Sequence, residues 1–444
     1  MYLLNPHGIM FGKNAKLDVQ GGFHASTADY LRLRDGGRFD ARQPNNSILT
    51  VAPVEAFGFL NSQVAPISVQ GHGDVTQVLE NQSTGLSVPE GKTLSLIGGN
   101  LEIWMGTFFK TVTVDDEGYE STEIIRLPIL SAPSGRINLA SVASQGEVKL
   151  GGDFVDVSSF SNLADIHITE KSPIATSGEG GGSIFIRGGQ FFADNSTIEA
   201  KTLGSKDGGV IDIRADAISL INGANLNGNT EGTGKGSSIY VQATESITVA
   251  GEHNDLPDNL DTLQESGIYA RSGNPELTDD NLGDAGEIDL EAKNILFKDG
   301  ATISVSTYGG GKGGDITLKA SESVSVVGEG TNPTGVFAAT YSESDGAGEA
   351  GSLLIEAQNI SFTDGAYISS ITEGKGKGGS VTLKASDTVA FKGESSEAEG
   401  SHIYMVRNVH KINSTTKPDL AGSKENLPGQ NQVWTLLLTC QVLF

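Results

Sequence analysis

The chain has 444 residues, 59 of them glycine and 13 proline, with hydrophobic residues at 37% and a formal net charge of -25 from 30 basic and 55 acidic side chains. That charge repels nucleic acid and anionic lipid, and so much glycine with so little apolar content excludes thick helical layers in favour of a thin or elongated core. Cys440 is the single cysteine, which rules out an intrachain disulfide or a cysteine-based metal site; it suits the cytosol, and equally a secreted chain that crosses a narrow pore unfolded.

Met1 is followed by YLLNPHGIMFG, which has no basic start, no long apolar segment and no small-residue cleavage site, so no signal peptide is visible. Within it Asn5, Pro6, His7 and Gly8 read as a rigid turn, because proline fixes its own φ and glycine permits a positive one. Between Ile103 and Leu130 the stretches GTFFKTVTV, DDEG and YESTEIIRL predict two alternating strands about a turn, a hairpin standing off the rest. Such a projection is a plain structural flap or a binding surface.

From Gly209 onward the chain repeats itself. Counting from Gly209, Ser237, Gly286, Gly314, Gly351 and Gly379, each copy has an aliphatic residue two places on, another at four and an alanine at six, as in Ile316, Leu318 and Ala320. A spacing of two is the period of a strand, so these positions face one side, and the alanine suits a tight corner. A second alternating pair follows, for example Val324 and Val326, and in four coils a third segment after a turn, such as DGATISVST from Asp299 and DGAYISSIT from Asp364. Insertions, notably Glu252 to Gly267, always follow the second pair, so one corner accepts loops. Such a unit cannot bury its own apolar row and must stack on copies of itself.

Three short strands per coil, no helical period and glycine-rich corners predict an all-β fold, a right-handed parallel β-helix with a hairpin projection. Each coil adds ~4.8 Å along the axis, with hydrogen bonds running between coils. The column before the second pair is mostly polar (Ser246, Asn294, Ser323, Asn359, Thr388, with Ala217 the exception) and is either a side-chain ladder or ordinary solvated turn residues. After Gly400 the pattern fails where a third strand is due, so Ser401 to Phe444 reads as a divergent tail, a poor cap or disordered. The longest apolar run, Val433 to Phe444, falls short of the ~20 residues a membrane-spanning helix needs. The chain thus divides into residues 1–150, a repeat region 151–400 and the tail 401–444.

The N-terminal wording LLNPHGIMFGKNAKLDVQGGFHASTADYLRL, with APISVQG, GKTLSLIGGNLEI and SAPSGRINLASVA after it, resembles the secretion domain of filamentous-haemagglutinin-like exoproteins, the large passengers of two-partner secretion. The coils GGSIFIRG, DGATISVST and GGDITLKASESV are similar to the repeats of cyanobacterial-type members, so the resemblance spans roughly Leu3 to Gly393. It implies that residues 1–150 are the C-terminal part of the haemagglutination-activity secretion domain, itself a capped β-helix. It implies as partner an outer-membrane transporter with periplasmic docking domains, a passenger that folds outside the cell, and a secreted, cell-surface location. The implied role is adhesion through a host or surface glycan or protein receptor. The family's NPNG element maps onto Asn5, Pro6, His7 and Gly8 as the transporter-recognition motif, or as a cap on one coil; His7 departs from the usual asparagine. Members carry a signal peptide and further strands before this motif, so the expectation here is an N-terminal truncation, through a misplaced start or a broken gene, that leaves the first coil's edge uncovered.

Because β-helices also host polysaccharide-active enzymes, a lyase or glycoside hydrolase is the alternative. Hydrolysis needs paired carboxylates. The candidates are GHGD at Gly71 to Asp74 and DDEG at Asp115 to Gly118, in reversed order and without companion motifs, so no catalytic site is expected. The stretch Gly310 to Leu318 nearly fits a calcium-binding nonapeptide, but its twin lacks the aspartate; the seven histidines form no close pair, and neither a metal nor a cofactor is expected.

Overall fold

A computed structural model describes residues 1–75, 84–114, 120–152, 154–255, 263–373, 376–392, 402–404 and 434–439. Among them there is no α-helix, and the long sheets are parallel, as a parallel β-helix requires. The aliphatic rows of the repeat are ladder partners: Ile211, Ile239, Ile288, Ile316, Leu353 and Val381 stand in register, as do Ile213, Val241, Leu290, Leu318, Ile355 and Leu383. All are buried, and each side chain withdrawn from water contributes roughly 1.5–3 kcal/mol before the entropy of ordering it is set against that gain.

The first two strands of each coil run into one another. Val210–Ile221, for example, is one twelve-residue strand whose register against Ser238–Ala250 shifts between Ala215 and Ala217. The small side chain lets the backbone bend there without leaving the ladder. A left-handed pair then reverses the chain: Asn222 and Gly223, Asp299 and Gly300, Asp364 and Gly365 all have positive φ, the conformation that Asn-Gly and Asp-Gly accept most cheaply. Third strands such as Gly267–Tyr269, Thr302–Ser304 and Gly335–Phe337 form a separate parallel sheet with Ile268, Ile303 and Val336 turned inward.

Past the third strand lies a column that the periodicity did not single out. Thr202, Thr230, Ser272, Thr307 and Thr340 bridge from coil to coil and are fully buried. Their hydroxyls donate to backbone carbonyls of the adjoining loops, Thr230 to Gly234 at 2.7 Å and Ser272 to Gly283 at 2.7 Å among them. A buried hydroxyl is affordable only when so partnered. The polar column before the second strand also stacks in register, half-buried for most of its length, and Ser323 Oγ donates to Asn294 Oδ1 at 2.6 Å.

The same interior continues upstream of the repeats. Phe23, Leu94, Ile137 and Ile184 lead in register to Ile211, and pairing between Arg136–Ser141 and Ser183–Arg187 carries the helix across residue 150 without a break. At the other end, His402–Tyr404 adds a third strand beside Tyr367–Ser369, where the sequence pattern led us to expect none. Trp434–Thr439 runs antiparallel to Ser380–Ala385, pairing with the last long strand. Short irregular segments can take a ladder position because the neighbouring coil supplies the template.

Among the described residues three excursions leave the coils. Thr107–Val114 pairs antiparallel with Glu120–Leu127, the expected hairpin. Its base does not stand off alone, because Arg126 and Lys171 both bind Asp255, just after the strand Glu252–Asn254 of a second small hairpin. The third excursion is a five-stranded antiparallel sheet in the order Val155–Asp156, Gly146–Leu150, Val54–Phe59, Tyr30–Leu33, Arg38–Asp40. Leu31, Phe57, Phe59 and Val148 of this sheet pack on Ile97, Ala140 and Phe185 as a second core.

Candidate functional site

Asn5, Pro6, His7 and Gly8 form the turn between Tyr2–Leu4 and Ile9–Phe11. The Gly8 N–H donates to the Asn5 carbonyl at 3.1 Å, which closes a β-turn with proline second and glycine fourth. The Asn5 side chain fixes it from both ends: Oδ1 accepts from the His7 N–H at 3.2 Å, and Nδ2 donates to the Gly8 carbonyl at 2.8 Å. Gly8 has φ of 114°, a conformation that a side chain would strain. The Asn5 and Ile9 amides bind the carbonyls of Ser26 and Pro66, so the turn is sewn to the next coil while Asn5 and His7 stay exposed. All four predicted residues are brought together, as a rigid surface feature without reactive chemistry of its own.

Close by, His24 is held between Tyr2, stacked at 4.7 Å, and Ser95, whose Oγ lies 2.9 Å from Nδ1. Burial lowers its pKa to about 4, with the positive charges of the N-terminus and Arg136 adding to the effect, so the ring is neutral at physiological pH.

The antiparallel side sheet carries a charged cluster on its outer face. Arg32 grips Glu147 with Nε at 2.9 Å and Nη2 at 2.9 Å and also pairs with Glu55, while Tyr30 donates to Glu147 at 2.9 Å. Arg38 covers the Tyr30 ring at 3.8 Å. Hydrogen bonds from Arg32 lower the Glu147 pKa, and burial together with Glu147 pushes Tyr30 up to about 12. Such a network braces a surface; its carboxylate is tied down as an anion and is unsuited to proton transfer.

The GHGD motif turns out to seat the hairpin. The His72 N–H donates to Thr107 Oγ1 at 3.1 Å, and Asp74 bridges to Phe108. Asp115 and Asp116 lie outside the described residues. Among the described residues no three His, Cys, Asp or Glu side chains converge as metal ligands, and no helix is long and apolar enough to cross a membrane.

Against known families, residues 1–186 match the TPS secretion domain. The match takes in the turn, the side sheet, the first hairpin and the coils up to Ile186. No curated protein and no solved structure matches the chain significantly.

Proposed function

Because residues 1–186 carry a TPS secretion domain, which marks the chain as a two-partner secretion exoprotein with an outer-membrane transporter as partner, we propose that it acts at the cell surface as an adhesin-like binding protein without catalysis. The secretion domain is the observation that carries this reading. Supporting it, the domain shares one apolar interior with the repeats, so a chain emerging from the transporter could add coil after coil on a folded template. The turn at Asn5, Pro6, His7 and Gly8 is its transporter-recognition element on this reading, and periplasmic docking domains are the parts of the transporter that meet it.

The test is export. The chain is placed behind a signal peptide and expressed with and without its two-partner transporter, and secreted protein and adherence to host or surface glycans are measured. Transporter-dependent release with adherence supports the reading. Release that ignores the transporter, or a secreted chain that depolymerises polysaccharide, contradicts it.

A further inference from the structure

The corner that accepts insertions builds a groove. On the outer face of the third-strand sheet lies a cavity of about 410 Å³, floored by Thr302, Ser304 and Phe337 and walled by Leu263 and Glu265 on one side and Asn332 and Pro333 on the other. The walls come from two insertions that hold each other, since the amides of Thr331 and Asn332 donate to Glu252 at 3.0 and 2.6 Å. Its size falls within the roughly 300–1,000 Å³ typical of ligand sites.

The end of the groove is aromatic and basic. Tyr308 and Tyr341 follow Thr307 and Thr340, which bridge one coil to the next, so their rings stack at 5.0 Å. Arg271 lies beside them, its guanidinium 4.2 Å over the Tyr269 ring, and its Nε is buried with no hydrogen-bond partner. Among the described residues no carboxylate pairs with it. Glu265 instead accepts from Tyr269 at 2.7 Å and from Thr302 at 3.3 Å. The side chain lines the groove with its donors unclaimed by any ion pair among the described residues, so a ligand oxygen is an acceptor it can take.

Resting on the reading of the chain as a binding exoprotein, we propose that this groove binds a neutral hexopyranose segment of a polysaccharide. The stacked pair leaves one face of each ring uncovered by the other, and such a face, negative at its centre, suits the polarised C–H face of a pyranose. The planar donor fork of Arg271 suits a pair of adjacent hydroxyls, and Ser304 on the floor and Glu265 on one wall add groups that bond hydroxyls. The net charge of -25 disfavours a polyanionic sugar. Among the described residues that line the groove Glu265 is the only carboxylate, one short of the pair that glycoside hydrolysis uses.

Calorimetric titration of the purified full chain with hexasaccharides of glucose, galactose and mannose, and with hexagalacturonate, tests this. At least one neutral sugar should bind, more tightly than hexagalacturonate. Tyr341→Ala and Arg271→Ala should each weaken it at least tenfold with the β-sheet circular dichroism unchanged, and Tyr341→Phe should keep it within threefold. Should Arg271→Ala lose its fold, Arg271→Lys keeps the charge without the fork and should still weaken binding tenfold. No binding by the wild-type chain, tighter binding of hexagalacturonate, or folded alanine variants that bind like wild type would overturn the proposal. Recovered sugars that are shortened would count for the groove and against the non-catalytic reading, whereas failure of binding would leave the export result standing.

Discussion

Arg126 donates from Nη2 to Asp255 Oδ2 at 2.7 Å across 129 positions of sequence, and Lys171 Nζ reaches the other oxygen at 2.8 Å. The contact fastens the long hairpin to a loop of the repeat region. Burial by itself would raise the Asp255 pKa, but the hydrogen bonds and charges of Lys171 and Arg126 outweigh it and hold it at about 2. Removing one member strands buried charge, which typically costs about 3–5 kcal/mol. In a stacked-coil fold such a loss stays local. Asp255→Ala should therefore speed amide exchange in Thr107–Leu127 at least tenfold and leave Ile288–Lys298 as before, as read by hydrogen-exchange mass spectrometry.

A pH effect follows from His24. The folded ring resists protonation down to about 4, against an ordinary value of 6.5, so below 6.5 the unfolded chain binds the extra proton. Stability from this site is complete above pH 6.5 and falls as the pH drops towards 4, by about 3 kcal/mol in all. Urea unfolding of the N-terminal coils at a series of pH values should show this slope, and His24→Phe, which cannot titrate, should flatten it.

The turn at Asn5 to Gly8, proposed above as the element the transporter reads, gives a sharper pair of variants. Gly8→Ala forces a side chain into a φ of 114°, and Asn5→Ala removes both side-chain bonds of the turn. Each should reduce transporter-dependent secretion severalfold, because the turn loses its shape, whereas the exposed His7→Asn should secrete normally. Equal secretion of all three would assign the turn to coil capping alone.

The coils were legible because a parallel ladder places like residues on like: Ile316, Leu318 and Ala320 recur where the geometry needs them. The side sheet was not, since Val54–Phe59 pairs with Gly146–Leu150 across some ninety residues and alternates like any coil strand. Nothing local marks such a partner. The buried threonine column carried a signal, a Thr or Ser closing each third segment, but hydroxyls read as surface residues until their carbonyl partners are seen. Tyr308 and Tyr341 likewise each follow a threonine of that column, and only the stacked coils turn those two dipeptides into one platform. At the turn, the types of Asn5, Pro6 and Gly8 announced the geometry, while the reach of Asn5 to both ends needed coordinates.

The register of the coils carries the core and the tyrosine pair of the groove, and one pair of outward residues measures it directly. Ser325 and Ser361 face each other in adjacent coils, Oγ to Oγ at 3.1 Å. In a Cys440→Ser background, Ser325→Cys with Ser361→Cys should oxidise readily to a disulfide, since ladder neighbours stand about 4.8 Å apart, within disulfide reach. Ser325→Cys with Thr363→Cys, two places out of register, should not. Comparable cross-linking of both pairs, or of neither, would contradict the stacked-coil architecture.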